Sequence, residues 1–161
     1  MDKFDKHPFD AFYSLESEIL ILGSFPSPKS REEGFYYGNK KNRFWEILAA
    51  IYNEKVPDNI EEKQALLTKH NIALFDAIES LRIKGASDAS IIDAKPSDLS
   101  TLLASSRIRL ICCNGKTAYR YFMKGDHYGV PFLCLPSSSP ANASFSLEKL
   151  TEIWRKALLK Q

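Results

Sequence analysis

The sequence predicts an α/β fold: a three-layer α/β/α sandwich around a central, mainly parallel sheet of four strands. Three observations predict it. Four short apolar runs alternate with stretches of helical period, the pattern of strand–helix units. The first of them is apolar throughout rather than alternating, as expected of a strand buried on both faces. No repeat, low-complexity segment or internal linker interrupts them, so residues 1–161 read as one domain.

The elements follow in order. Residues 18–23 form the first run and stop at Gly23. Residues 24–41, rich in proline, serine, glycine and tyrosine, read as a long loop. Asn42 reads as the N-cap of a helix carrying Phe44, Trp45, Ile47, Leu48 and Ile51 on its core side. Residues 60–70 read as an amphipathic helix and residues 71–76 as a second strand ending on Asp76. Residues 85–96 read as loop, and Asp98 opens a short helix. Residues 107–113 form the third strand, turned by Asn114-Gly115 into a helix over 116–124. Residues 130–135 are the fourth strand, and residues 145–159 close the chain as a helix.

Composition narrows the function classes. Hydrophobic residues make up 44% and charged residues 26%, ordinary for a globular protein. No apolar run reaches the roughly 18 residues of a membrane span, and the first six residues have no apolar signal-peptide segment. Cys112, Cys113 and Cys134 lie in apolar runs, an odd count that suits buried, reduced thiols in a cytoplasmic protein rather than disulfides or a zinc site. His7, His70 and His127 match no motif and read as surface or capping residues. A net charge of +2 says little about nucleic acid, but Lys29, Arg31, Lys40, Lys41 and Arg43 form a basic stretch that either meets phosphates or is simply solvated.

Open α/β sheets bind ligands beyond the carboxyl ends of their strands. Here those ends carry residues 23–27, Asp76, Asn114-Gly115 and residues 136–142. The site is expected at that edge, between the first and fourth strands. No cluster of metal-binding carboxylates and no nucleophile with a base partner stands there, which argues against a general phosphate-ester hydrolase.

Three segments are more specific: Leu20-Ile21-Leu22-Gly23-Ser24-Phe25-Pro26-Ser27, Gly34-Phe35-Tyr36-Tyr37-Gly38-Asn39-Lys40-Lys41-Asn42-Arg43-Phe44-Trp45, and Leu135-Pro136-Ser137-Ser138-Ser139-Pro140-Ala141-Asn142. Together they resemble the uracil-DNA glycosylase superfamily, above all its deoxyinosine (hypoxanthine) DNA glycosylase branch. Ile72-Ala73-Leu74-Phe75-Asp76 and Cys113-Asn114-Gly115-Lys116 fall in the matching order, and the likeness covers residues 9–154.

The resemblance implies an enzyme that flips a damaged base out of double-stranded DNA and hydrolyses its glycosidic bond without metal or cofactor. The superfamily's water-positioning residue follows the first strand; here that place holds Phe25. The resemblance then passes the role to Asn42, with Asn39 as its rival. An amide can orient water or bond a base edge but is a poor base, and the plain alternative for Asn42 is the helix cap. Gly23, Ser24, Phe25, Pro26, Tyr37, Asp76 and Asn114 are the expected base pocket, with Phe25 and Tyr37 as stacking platforms. Phe44 and Trp45 are expected in the core. Asp76 either acts electrostatically on the cationic sugar or caps the next helix. Ser27, Lys41, Lys116, Ser137, Ser138, Ser139, Pro140 and Asn142 are the expected DNA contacts, the serines meeting phosphates through hydroxyls and amides. Leu135 stands where uracil-specific relatives carry histidine, which favours hypoxanthine, a base able to leave after protonation on its own ring. No lysine stands in a Schiff-base position, so a monofunctional enzyme is expected, and a monomer; a non-catalytic damage-binding module on the same scaffold is the alternative.

Overall fold

The computed structural model describes residues 3–7, 10–83 and 91–159. Four strands, β2 (Ile19–Gly23), β3 (Ile72–Asp76), β6 (Leu110–Asn114) and β7 (Phe132–Leu135), form a wholly parallel sheet in the order β3-β2-β6-β7. Leu20, Ile21 and Leu22 of β2 and Ile111, Cys112 and Cys113 of β6 are each fully shielded from solvent. That double-sided burial is why their runs are apolar throughout.

Helices cover both faces. α2 (Phe44–Tyr52), α3 (Ile60–Lys69) and α6 (Leu147–Leu159) pack Phe44, Ile47, Leu48, Leu67, Leu150 and Trp154 against Ile21, Leu74 and Cys112. On the other face α4 (Ser100–Ala104) and α5 (Lys116–Phe122) pack Leu102, Ala118 and Phe122 against Leu20, Leu22 and Cys113. The three-layer sandwich expected from the sequence is present. Phe44 and Trp45 lie in the core, and Asn59 caps α3 through its side chain, accepting from Glu62 N at 2.8 Å.

Three expectations are corrected. Residues 91–96, read as loop, form β5 (Ile91–Pro96); residues 85–90 of that stretch lie outside the described residues. β5 pairs antiparallel with β4 (Ile78–Ile83), which pairs with β1 (Lys3–Lys6), giving a second, three-stranded sheet. The long loop after β2 contains a short helix, α1 (Pro28–Glu33), with Pro28 in its first turn and Ser27 as its cap. Of the cysteines, Cys112 and Cys113 are buried but Cys134 is exposed. Burial pushes the Cys112 and Cys113 thiols up to about 12, so both stay protonated and inert.

Candidate active site

In the order β3-β2-β6-β7 successive strands are added first to one side of β2 and then, from β6 on, to the other. The strand order therefore reverses between β2 and β6, where an open sheet leaves a crevice. Gly23 and Asn114 end those two strands. The sequence placed the site between the first and fourth strands; the third, β6, lies between them and supplies its central residue.

Asn114 is buried, and its amide anchors a directional chain. Its Oδ1 accepts from Ser138 N at 3.0 Å. Because a backbone N–H only donates, that bond fixes which way the amide is turned. Asn114 Nδ2 therefore donates, to Tyr37 Oη at 3.2 Å and to Ser138 Oγ at 2.9 Å. Ser138 Oγ passes its proton on to Asn42 Oδ1 at 2.7 Å. The same Asn42 Oδ1 accepts from Phe44 N at 3.0 Å, so Asn42 supports the start of α2 although Arg43 holds the cap position. Catalytic candidate and helix support are thus one residue. Both acceptor positions of the Asn42 oxygen are filled, while its Nδ2 donates to none of the described residues. Asn42 is half-buried and borders, with Tyr37, Gly38, Asn39 and Trp45, a cavity of about 940 Å³. Asn39, the rival amide, turns its Oδ1 onto Lys41 N at 2.9 Å.

Beside this chain lies Asp76, in register with Gly23 and only 4% exposed. A Cβ at Gly23 would stand 2.5 Å from Asp76 Oδ1 and 3.1 Å from Tyr37 Oη, so the close approach of carboxylate and phenol requires glycine there. The strand runs on through Ala77 into β4, so Asp76 has no helix to cap. Its partner is His7, whose Nε2 lies 2.8 Å from Asp76 Oδ2 with both side chains almost wholly buried. Burial raises the Asp76 carboxyl above its usual range, and the bonds from His7 and Gly23 N oppose that shift. Burial likewise drives the Tyr37 phenol far up, and the Asp76 charge adds to it, so Tyr37 stays a neutral hydroxyl. His7 is not the surface residue the sequence suggested. Its partner lies 69 positions away, and no local pattern could announce the pair.

The expected stacking residues differ in what they present. Tyr37 stacks on Phe44 with centroids 4.0 Å apart and planes 14° from parallel, so its hydroxyl is its clearest contribution to the site. Phe25 is half-buried, with the Arg31 guanidinium 5.2 Å over its ring and His7 edge-on at 5.6 Å. Ser24 is half-buried and Pro26 buried in the same turn.

The loop after β7 is held from one side. Arg43 donates through Nη2 to Ser139 O at 2.9 Å and Asn142 O at 3.0 Å, through Nη1 to Phe145 O, and through its backbone N to Ser138 O at 3.1 Å. Arg43 was expected among solvated or phosphate-facing cations; it is instead a clamp between the start of α2 and the loop. Ser138 must also be corrected: it is fully buried, so its hydroxyl orders the site and meets no phosphate. Ser137, Ser139 and Asn142 are half-buried and Pro140 is exposed, leaving these to face a ligand. Lys41 is exposed, and Lys116 is exposed at the first residue of α5, beyond β6. Ser27 accepts from Ser30 N at 3.1 Å, a capping duty that ties it to α1.

The uracil DNA glycosylase superfamily is the family whose sequence model matches the chain, over residues 11–158. The chain belongs to this superfamily. Two curated relatives, both named hypoxanthine DNA glycosylase, are similar along nearly their whole length. That of Methanosarcina acetivorans is 38% identical over 149 residues, covering 91% of this chain and 94% of its own. That of Methanosarcina barkeri is 30% identical over 154 residues, covering 94% and 97%. A solution NMR structure of a candidate uracil DNA glycosylase from Methanosarcina acetivorans superposes with a TM-score of 0.82 at 34% identity, covering 98% of this chain and 97% of that one.

Among the described residues no group of three or more His, Cys, Asp or Glu is placed to hold a metal ion, and no helix is long and apolar enough to cross a membrane. Asn42, Asn114 and Ser138 come from three of the segments that carried the superfamily resemblance, and the fold brings them into direct contact. His7 lies outside the motifs, and Arg43 lies inside one but reads there only as part of a basic stretch.

Proposed function

We propose that this protein is a monofunctional DNA glycosylase that extrudes a deaminated base, hypoxanthine above all, from double-stranded DNA and hydrolyses its glycosidic bond in base excision repair. The observation that carries the reading is the Asn114–Ser138–Asn42 chain at the end of β6. It is a fixed polar array at a strand-end crevice, in a chain 38% identical to a protein named hypoxanthine DNA glycosylase.

In the reaction hypoxanthine takes a proton on its ring from solvent, the C1′–N bond breaks, and its electron pair leaves with the base, which departs neutral. The sugar passes through a cationic, oxocarbenium-like state, and a water oxygen bonds to C1′ and releases a proton to solvent. The products are a free base and an abasic site. Neutral, prepositioned dipoles suit this chemistry, because they stabilise charge as it develops without first reorganising. Asn42 and Tyr37 line the base side, the buried Asp76 carboxyl lies against Gly23 as Tyr37 Oη does, and Ser137, Ser139, Pro140 and Asn142 with Lys41 and Lys116 meet the DNA. Leu135 is buried at the start of the loop and offers no cation to a departing uracil anion, which supports hypoxanthine as the favoured base.

The chain works as a monomer: Leu15, Val56, Met123 and Leu159, the large apolar side chains exposed among the described residues, are scattered along the sequence. It works in the cytoplasm, where the three unpaired cysteines remain reduced.

The test uses labelled duplexes with one hypoxanthine, uracil, xanthine or no lesion, incubated in a chelator and heated in alkali to cut abasic sites. Cleavage of the hypoxanthine strand first, unaffected by the chelator, is expected. Folded protein that binds the duplexes and leaves no abasic site in any of them would replace this reading with a non-catalytic damage-binding module.

A further inference from the structure

We propose that Asn42 works in the reaction as a hydrogen-bond donor, through Nδ2, to the base being expelled, and not as an acceptor that draws a proton from the attacking water. The proposal rests on the glycosylase reading above and assigns the atom through which that site acts.

The hydrogen-bond directions leave little freedom. An amide oxygen has two acceptor positions. On Asn42 one is filled by Phe44 N–H at 3.0 Å and the other by Ser138 Oγ–H at 2.7 Å. The backbone donor fixes the amide's orientation. Ser138 in turn cannot reverse its bond, because the Asn42 atom it meets is an amide oxygen with no proton to give. Its own oxygen receives Asn114 Nδ2–H at 2.9 Å, and the Asn114 amide is itself fixed by Ser138 N–H. Ser138 is fully buried, so no solvent competes for these bonds. The chain of donors runs from Asn114 to Ser138 to Asn42 and ends with the Asn42 oxygen saturated. What Asn42 leaves unengaged is Nδ2, which meets no acceptor among the described residues, on a half-buried residue at the rim of a cavity shared with Tyr37, Gly38, Asn39 and Trp45.

A donor in that place has a specific use. As the C1′–N bond breaks, its electron pair moves onto the ring-protonated base. An N–H aimed at a base oxygen or ring nitrogen stabilises that added electron density more in the transition state than in the ground state. It offers no route for a proton off water. Ser138 is the positioning residue: it touches no substrate and holds Asn42 through the shared oxygen.

Aspartate at position 42 separates the two roles, because both protein partners of Oδ1 are donors and a carboxylate oxygen accepts from them equally. Only the outward NH₂ changes, into an oxygen. The charged groups that line the cavity, Glu33, Lys40, Glu46, Asp58, Glu61 and Lys63, and Arg43 next in the chain, are the same in both proteins. The full chain, as wild type, Asn42→Asp and Asn42→Ala, would be assayed under single turnover on a hypoxanthine duplex from pH 4.5 to 8.5. Circular dichroism would check the fold, and a 2′-fluoro analogue duplex would report binding.

The expected result is a loss of about 100-fold for Asn42→Asp at pH 8, matching Asn42→Ala, with binding kept. Asn42→Asp should recover as pH falls and its carboxyl gains a proton to donate. Asn42→Asp activity near wild type, or rising with pH as a carboxylate base forms, would overturn the donor role. Ser138→Ala adds a second arm. Freeing an acceptor position on Asn42 should help a water-binding amide, whereas loss of the anchor should lower kcat about tenfold with KM unchanged if Asn42 is a donor; no loss would overturn the proposal. A wild type that removes no base from any duplex brings down the glycosylase reading itself, a failure distinct from either result.

Discussion

At the scale of single residues, the site depends on close approaches that admit little substitution. Gly23 is the clearest case. A methyl group there meets Asp76 Oδ1 at 2.5 Å, and Asp76 cannot swing away without leaving His7. Gly23→Ala is expected to cost about 1–3 kcal/mol, the usual range for overpacking a filled site, measured by urea unfolding, and to depress base release as well. A variant as stable and active as the wild type would mean that the carboxylate is not held where it is found. Much of this site was legible one residue at a time. The resemblance names Asn42, Asn114 and Tyr37 for the pocket but Ser138 only as a DNA contact, and it gives no bond directions, since a string of letters does not show which face of an amide is occupied. His7 was missed because its meaning lies wholly in contacts with Asp76, Phe25, Tyr36 and Phe75, distant in sequence.

At the scale of elements, two junctions govern how the site is held. Arg43 joins α2 to the loop after β7 through three side-chain bonds to carbonyls. Its removal leaves Ser139, Asn142 and Phe145 without that donor, so Arg43→Ala should destabilise the protein by about 2–3 kcal/mol. Arg43→Lys, one compact charge in place of a fork, should recover only part of the loss. Equal stability of all three proteins in urea would refute the clamp. The second junction ties the end of α2 to α3. Glu54 bonds His70, which stacks on Tyr52 at 3.8 Å, and pairs with Lys69 at 3.1 Å. The bond from His70, and then that from Lys69, hold the Glu54 carboxyl below its ordinary range. A lowered value means that this stabilisation is complete above the unfolded carboxylate pKa and fades as pH falls through the folded one. Glu54→Gln should therefore lower the melting temperature at pH 7, and the difference should close in acid. The sheet strands were readable because burial on both faces keeps their runs apolar. β1, β4 and β5 were not: Lys3–Lys6 is four residues of which three are charged, and its partner strand begins at Ile78, so nothing local distinguishes it from a loop.

At the scale of the whole molecule, DNA affinity must come from where charge is placed, because a net +2 is small. Of the basic stretch between Lys29 and Arg43, Lys29 is exposed and pairs with Glu32 at 3.8 Å, Arg43 is engaged internally and Arg31 lies over Phe25, leaving Lys40, Lys41 and Lys116 as the exposed cations available to phosphate. Each phosphate contact contributes a slope of about 0.9 to the fall of log affinity with log salt. Lys41→Ala should reduce the slope by about one and leave single-turnover cleavage at saturation unchanged, as titrations from 50 to 200 mM salt would show; an unchanged slope would move the DNA path away from Lys41. The central claim, that a water replaces the base on C1′ and nothing else is cut, is tested most directly by intact mass. A hypoxanthine-containing strand, annealed and incubated with the full chain in a chelator, should lose the mass of the base and gain that of a hydroxyl, with the backbone whole and free hypoxanthine in solution. A strand of unchanged mass, or one broken at the lesion, would contradict it.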